Sequence, residues 1–186
     1  MSFGSECFLS EAEVRSLALG LEESNVAFLW VLRLPPQRAT DSALPEGFRA
    51  RTGAKGLVVE GWAPQVRIIS HPSVGAFLTH CRKNAVTEGL SLGLPLVALP
   101  MQLEQGLTAR LVEGEWQVGV EVERRFDGSF SKEDICRAVK KVMVEDKGRK
   151  LRLRAAQIAQ ILSNRNDCKR LQSIVGRLVD KQLHVP

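Results

Sequence analysis

The order of apolar and punctuating segments predicts an α/β fold, a Rossmann-like parallel sheet flanked by helices. Three observations carry that prediction. Short apolar runs recur at Phe28–Leu32, Leu57–Val59, Ala76–Thr79, Leu94–Leu99 and Val118–Val122. Segments with helical spacing of apolar residues lie between them, and glycine or proline marks most of the junctions. Strands that alternate with helices pair in parallel, because each crossover helix returns the chain to the same sheet edge.

The elements follow in order. Ser2-Phe3-Gly4-Ser5 reads as the end of a nearly missing strand running into a turn. Ser10 and Glu13 have capping-box spacing, and Val14, Leu17, Ala18 and Leu21 recur at helical period behind them. Phe28–Leu32 has the continuous apolar character of a strand buried on both faces. Residues 35–56, with Pro35, Pro36, Pro45, Gly47, Gly53 and Gly56, predict a surface loop. A strand at 57–60, a short helix at 66–70, a strand at 76–79 and a helix at 84–92 come next, with Gly93 suited to the helix C-cap. A strand at 94–100, a helix at 105–115 and a last strand at 118–122 complete the alternation. Ser131 and Asp134 cap a helix reaching about 144, and Gly148 is expected to separate it from two further helical stretches.

At 186 residues and 44% hydrophobic content the chain suits one domain with a sizeable core. No apolar run reaches the ~18 residues of a membrane span, and the first residues do not read as a signal peptide. Cys7, Cys81, Cys136 and Cys168 are scattered without metal-like spacing, so reduced thiols in the cytoplasm are expected and a zinc site is not. Much of the net charge of +5 lies in Lys147–Arg154, where basic residues alternate with leucine. That pattern is a solvated helix face with aliphatic stems over the core. Without interleaved aromatic residues it gives no reason to expect a nucleic-acid partner.

The chemistry concentrates in residues 62–105. This stretch opens with Trp62-Ala63-Pro64-Gln65, passes His71-Pro72-Ser73 and Leu78-Thr79-His80-Cys81, and closes on Glu104-Gln105. His80 ends an apolar strand just before a helix, a position where loops of doubly wound sheets hold ligands. Taken singly, each residue has a plain structural reading: a core tryptophan, a histidine satisfied by backbone, an exposed glutamate, a helix cap. Neither a GxGxxG nor a GxxxxGK[ST] motif is present.

Taken together, the stretch resembles the nucleotide-sugar signature box of plant secondary-product UDP-glycosyltransferases. The resemblance implies the C-terminal domain of a GT-B fold and inverting transfer of a hexose from a UDP-sugar to a small acceptor. The donor is a substrate, UDP-glucose by the glutamine at 105, and no metal or other cofactor is implied. It also implies roles: Trp62 stacks on uracil, Gln65 touches the base edge, His80 holds the diphosphate, Asn84 lies beside it, Glu88 accepts from ribose hydroxyls, and Glu104 and Gln105 read the sugar. Ser5 matches a serine near the phosphates.

The phosphate-facing centre departs from the pattern. Where the family reads His-Cys-Gly-Trp-Asn-Ser, this chain has His80-Cys81-Arg82-Lys83-Asn84-Ala85. Arg82 and Lys83 either bring two cations to the ligand or fill its space. Side-chain bulk at a glycine contact weighs toward weakened or lost turnover, and Ala85 lacks a donating hydroxyl.

The match covers the second half of such an enzyme and none of the first, which in the family binds a small lipophilic acceptor and carries the catalytic histidine base. His71 and His184 lack the setting of that base, so no catalytic residue is expected in this chain. Residues 1–164 are expected to form the UDP-sugar-binding domain. Residues 165–186, with Leu171, Ile174, Val175, Leu178 and Val179 at helical spacing, are expected to form a tail that packs on the first half or self-associates. The competing expectations are a non-catalytic UDP-sugar-binding remnant and a protein-association domain.

Overall fold

The computed structural model describes residues 1–4, 8–35 and 43–163, with the side chain of Leu103 excepted. Ser5 and the tail at 165–186 lie outside the described residues. Helix α1, Glu11–Ser24, starts as expected: the Ser10 hydroxyl accepts from the Glu13 amide and the Glu13 carboxylate accepts from the Ser10 amide at 2.7 Å. Strand β1, Phe28–Leu32, pairs in parallel with β2, Gly56–Glu60. Between them sits helix α2, Phe48–Thr52, in the stretch read as loop. Phe48 is 1% exposed, and its burial together with that of Ala43 and Leu44 draws the segment onto the core.

Helix α3, Gln65–Ile69, leads to β3, Phe77–Thr79, and then to helix α4, Lys83–Ser91. Gly93, at φ +70°, closes α4: its amide donates to the Leu90 carbonyl, and the Leu94 amide donates to that of Gly89. Strand β4, Leu96–Ala98, helix α5, Leu103–Arg110, and strand β5, Gly119–Glu121, follow. The chain leaves α5 through one π-helical turn, Leu111–Glu115, in which the Trp116 amide donates to the Leu111 carbonyl.

Strands β3, β4 and β5 pair in parallel in that order. The N-terminus joins the two sets. Ser2 bridges Val31 on one side and Thr79 on the other, with Val31 N–H donating to the Met1 carbonyl and Ser2 N–H to that of Leu78. The spatial order is therefore β2, β1, N-terminal segment, β3, β4, β5. This is a doubly wound order whose topological switch point lies between the N-terminal segment and β3.

Two further helices complete the layers, α6, Lys132–Met143, and α7, Asp146–Ser163. On one face, α1 and α6 pack together over Trp30, Leu32, Val58, Leu78, Val97 and Leu99. On the other, α4 and α7 cover Phe77, Leu96 and Ala98. Strand β1 is not buried on both faces: Trp30 and Leu32 are buried, whereas Leu29 and Val31, on the opposite face, are half-exposed. Gly148 is not a separator. It lies in the first turn of α7, where an added Cβ would come 2.0 Å from the Val142 carbonyl oxygen, so the break falls at Val144–Glu145. Only a residue without a side chain lets α7 fold back so closely on the end of α6.

Candidate functional site

Because the strands are parallel, the residues that follow β2, β3, β4 and the N-terminal segment all emerge at one sheet edge. These are Trp62, His80, Glu104 and Gly4. Gly61, at φ +78°, turns the chain after β2, and its carbonyl accepts from Arg33 Nε at 3.2 Å. Trp62 then stands 76% exposed, the opposite of a core tryptophan. Gln65, the first residue of α3, donates from Nε2 to Glu88 Oε2 on α4 at 2.7 Å. One hydrogen bond thus ties the opening of the signature stretch to the helix that follows His80.

His80 lies at the switch point, 3% exposed, with Nδ1 buried and unpartnered. Its ring is tilted against Phe3 and packs against Gly4, where an added Cβ would meet Cε1 at 3.2 Å and Nε2 at 3.4 Å. Burial, assisted by the nearby Arg82 charge, pushes its pKa from 6.5 down to about 4, so the imidazole is neutral at pH 7. A neutral ring donates from one nitrogen and accepts at the other.

The step from β3 to α4 is made by Cys81 at φ +64°, a left-handed conformation uncommon outside glycine. Burial, reinforced by the Glu121 charge, pushes its thiol up to about 12, and Sγ donates to the Thr79 carbonyl at 3.8 Å. Cys81 is therefore a neutral thiol that shapes the turn. Arg82 occupies the N-cap of α4 at φ −63°, ψ 143°, ordinary extended backbone. An arginine sits there without backbone strain, so what it changes is bulk and charge. Arg82, Lys83 and Asn84 are exposed, while Ala85 is buried with Cys81 in the second core cluster.

Helices α1 and α6 both begin with full capping boxes, but α4 has no side-chain cap. Its first amides, which have no carbonyl one turn back, open at the same edge as His80. Uncapped amides with the positive end of a helix dipole suit an anion, phosphate above all.

After β4, Glu104 is exposed, but Gln105 is 2% exposed and turned inward. Its Oε1 accepts from the amides of Met101 at 2.8 Å and Gln102 at 3.2 Å, so this side chain holds the loop at the sheet edge. Composition and spacing did not single out Gly4 or Cys81 as shaping residues. The signal available for Gly4 was its place in the turn after the N-terminal strand; for Cys81, sequence offered none. Among the described residues no cluster of acidic, histidine or cysteine side chains could hold a metal, and no helix is long and apolar enough to cross a membrane.

A family model described as "UDP-glucoronosyl and UDP-glucosyl transferase" matches residues 1–160. A beta-D-glucosyl crocetin beta-1,6-glucosyltransferase of Gardenia jasminoides is 45% identical over 160 residues, 85% of this chain and 36% of its own length. UDP-glycosyltransferase 91D1 of Stevia rebaudiana is 43% identical over 183 residues, 97% of this chain and 37% of its own. Among solved structures, Phytolacca americana UGT2 complexed with UDP-2fluoro-glucose and pterostilbene superposes with TM-score 0.82 at 35% identity, over 96% of this chain and 41% of that one. The chain thus spans somewhat more than a third of the relatives it matches, and it corresponds to their C-terminal part. By sequence, by fold and by the extent of the match, this chain belongs to the UDP-glycosyltransferase family.

Proposed function

We propose that the chain is the donor-binding half of a plant-type UDP-glycosyltransferase, holding a UDP-hexose, in the first instance UDP-glucose, for inverting transfer to a small lipophilic acceptor. The observation that supports this most is the juxtaposition at the switch point. A buried neutral His80 with an unpartnered nitrogen stands directly before an uncapped helix N-terminus, on an edge shared with an exposed Trp62. In this reading the diphosphate lies against His80 and the first amides of α4, with Asn84 alongside. Uracil stacks on Trp62, which contributes ~1–3 kcal/mol. Gln65 meets the base edge. Glu88, already oriented by Gln65, accepts from the ribose hydroxyls. Glu104 faces the hexose from the first turn of α5, just after the loop that Gln105 holds, and Ser5 is assigned to the phosphates.

What this half contributes to transfer is leaving-group stabilisation. As the bond to the anomeric carbon breaks, negative charge collects on the diphosphate, and fixed amides and an imidazole donor meet it without reorganising. The base that would take the acceptor's proton belongs to a first half that this chain does not match. General-base catalysis is worth typically 10²–10⁴-fold, and acceptor positioning more. The chain alone is accordingly an inactive or barely active donor site. To residues 165–186, which lie outside the described residues, the proposal assigns contact with that first half or with a second copy. The cytoplasm is the proposed setting, in keeping with the free thiols of Cys81 and Cys136.

Calorimetric titration of the purified chain with UDP-glucose, alongside a sugar-transfer assay, tests this reading. Saturable binding without transfer is the expected pair of results. Absence of binding would contradict the donor-site reading and favour a protein-association domain.

A further inference from the structure

The chain's positive charge is concentrated at one corner. Residues 140–154 hold seven basic and two acidic side chains, an excess equal to the net charge of +5 for all 186 residues. They form the end of α6, the turn at Val144–Glu145 and the first half of α7. The two leucines in this stretch do different work. Leu151 is buried with Gly148 and Ala155, a stripe at helical spacing that seats α7 on the fold. Leu153 points the other way and is 68% exposed, one turn beyond Arg149 and Lys150 on the same face. Val144, in the turn, is 67% exposed, and Ile161, two turns beyond Leu153, is exposed as well. The cations keep their charge. Arg152 and Arg154 donate to the carbonyls of Val142 and Trp116, which are neutral groups. Lys147 pairs with Glu113 at 3.3 Å and Arg149 with Asp146 only at 4.0 Å, in exposed positions where such pairs hold loosely.

We propose that the outer face of α7 docks on an anionic lipid surface. Leu153 enters the headgroup layer, while Arg149 and Lys150, on long flexible stems, reach lipid phosphates and carboxylates around it. Aliphatic side chains exposed among cations suit a surface that is anionic and apolar at once. Nucleic acid would leave those aliphatic side chains unused, and this stretch has no aromatic residue on which a base could stack. A second copy meeting the first through this face in a symmetric contact would bring like charge against like. The opposite face of α7 stays packed on α4, so docking requires no rearrangement of the fold.

The test is cosedimentation of the purified chain with vesicles of phosphatidylcholine alone and of phosphatidylcholine with roughly one-third phosphatidylserine. The parent chain, Arg149→Gln/Lys150→Gln and Leu153→Gln are compared. The parent should partition onto the anionic vesicles and come off as salt is raised from about 0.1 M to about 0.5 M. Each cation near such a surface strengthens binding about fivefold, so the double variant should bind about 25-fold more weakly. Leu153→Gln should weaken binding to the same vesicles by about tenfold. Absence of partition onto the anionic vesicles, equal partition onto phosphatidylcholine alone, or partition unchanged in both variants overturns the proposal. Binding of soluble poly-glutamate as tight as that of the vesicles, with Leu153→Gln without effect on either, assigns the face to acidic protein segments and overturns it as well. All three replaced side chains are exposed, and circular dichroism matching the parent's separates loss of binding from loss of fold.

Discussion

His80 owes its character to position. It directly follows a fully buried three-residue strand and is itself buried, and burial strips it of the water that would stabilise a proton. The consequence for stability has a definite sign. A histidine whose folded pKa is about 4, against 6.5 unfolded, leaves stability intact above pH 6.5 and removes it as pH falls toward 4. The loss approaches ~1.4 kcal/mol per pH unit within that window. Chemical denaturation of the parent and of His80→Gln across pH 4–8 checks this: the glutamine variant, which cannot titrate, should show a flatter curve. An equally steep decline in both would assign the acid sensitivity to other groups.

Gly4 belongs at the same scale. Its φ of +73° and its closeness to the His80 ring leave no comfortable place for a methyl group. Gly4→Ala should cost about 1–2 kcal/mol through backbone strain alone. It should also weaken UDP binding by displacing the imidazole. Matched melting temperatures for the variant and the parent would contradict this. Trp62 and Glu88 stand out in the sequence through their motif spacing, and the structure leaves the indole exposed and the carboxylate bonded to Gln65. The inward turn of Gln105 was not legible: its side chain is drawn in because two backbone amides after β4 need an acceptor.

Among the elements, sequence patterns worked best where local chemistry decides. Both capping boxes, at Ser10–Glu13 and Ser131–Asp134, formed as their spacing indicated, and Ser10→Ala or Ser131→Ala should each cost about 1 kcal/mol. Patterns failed where tertiary contact decides. Phe48 pulls a helical turn out of a proline- and glycine-rich stretch, and Gly148 reads locally as a helix breaker but serves a close approach of two helices. This gives a paired prediction on glycines. Gly148→Ala should destabilise by about 3 kcal/mol or more, since its methyl group would meet backbone that has little room to move. Gly106→Ala, in the interior of α5 with nothing within 4 Å of the new Cβ, should be neutral or stabilise by up to ~1 kcal/mol. Thermal denaturation of the two variants distinguishes them, and similar melting temperatures would count against the packing described for α6 and α7.

For the whole molecule, the fold class was legible because alternation of apolar runs and amphipathic segments allows few topologies. The strand order was not. It hinges on Met1 and Ser2, two residues that no periodicity marks, inserting between β1 and β3 and thereby creating the switch point. That insertion brings Gly4, Trp62, His80 and Glu104 out at one edge, the edge to which the nucleotide-sugar site is assigned in the proposal above. Saturating UDP should accordingly stabilise the chain, by about 2.7 kcal/mol when UDP stands at a hundredfold excess over its Kd. The most direct measurement is a crystal structure of the chain grown with UDP. The account predicts the diphosphate within hydrogen-bonding distance, about 3 Å, of the His80 imidazole and the first amides of α4, with uracil against the Trp62 indole. Well-ordered UDP bound away from that edge, with His80 and Trp62 untouched, would contradict it.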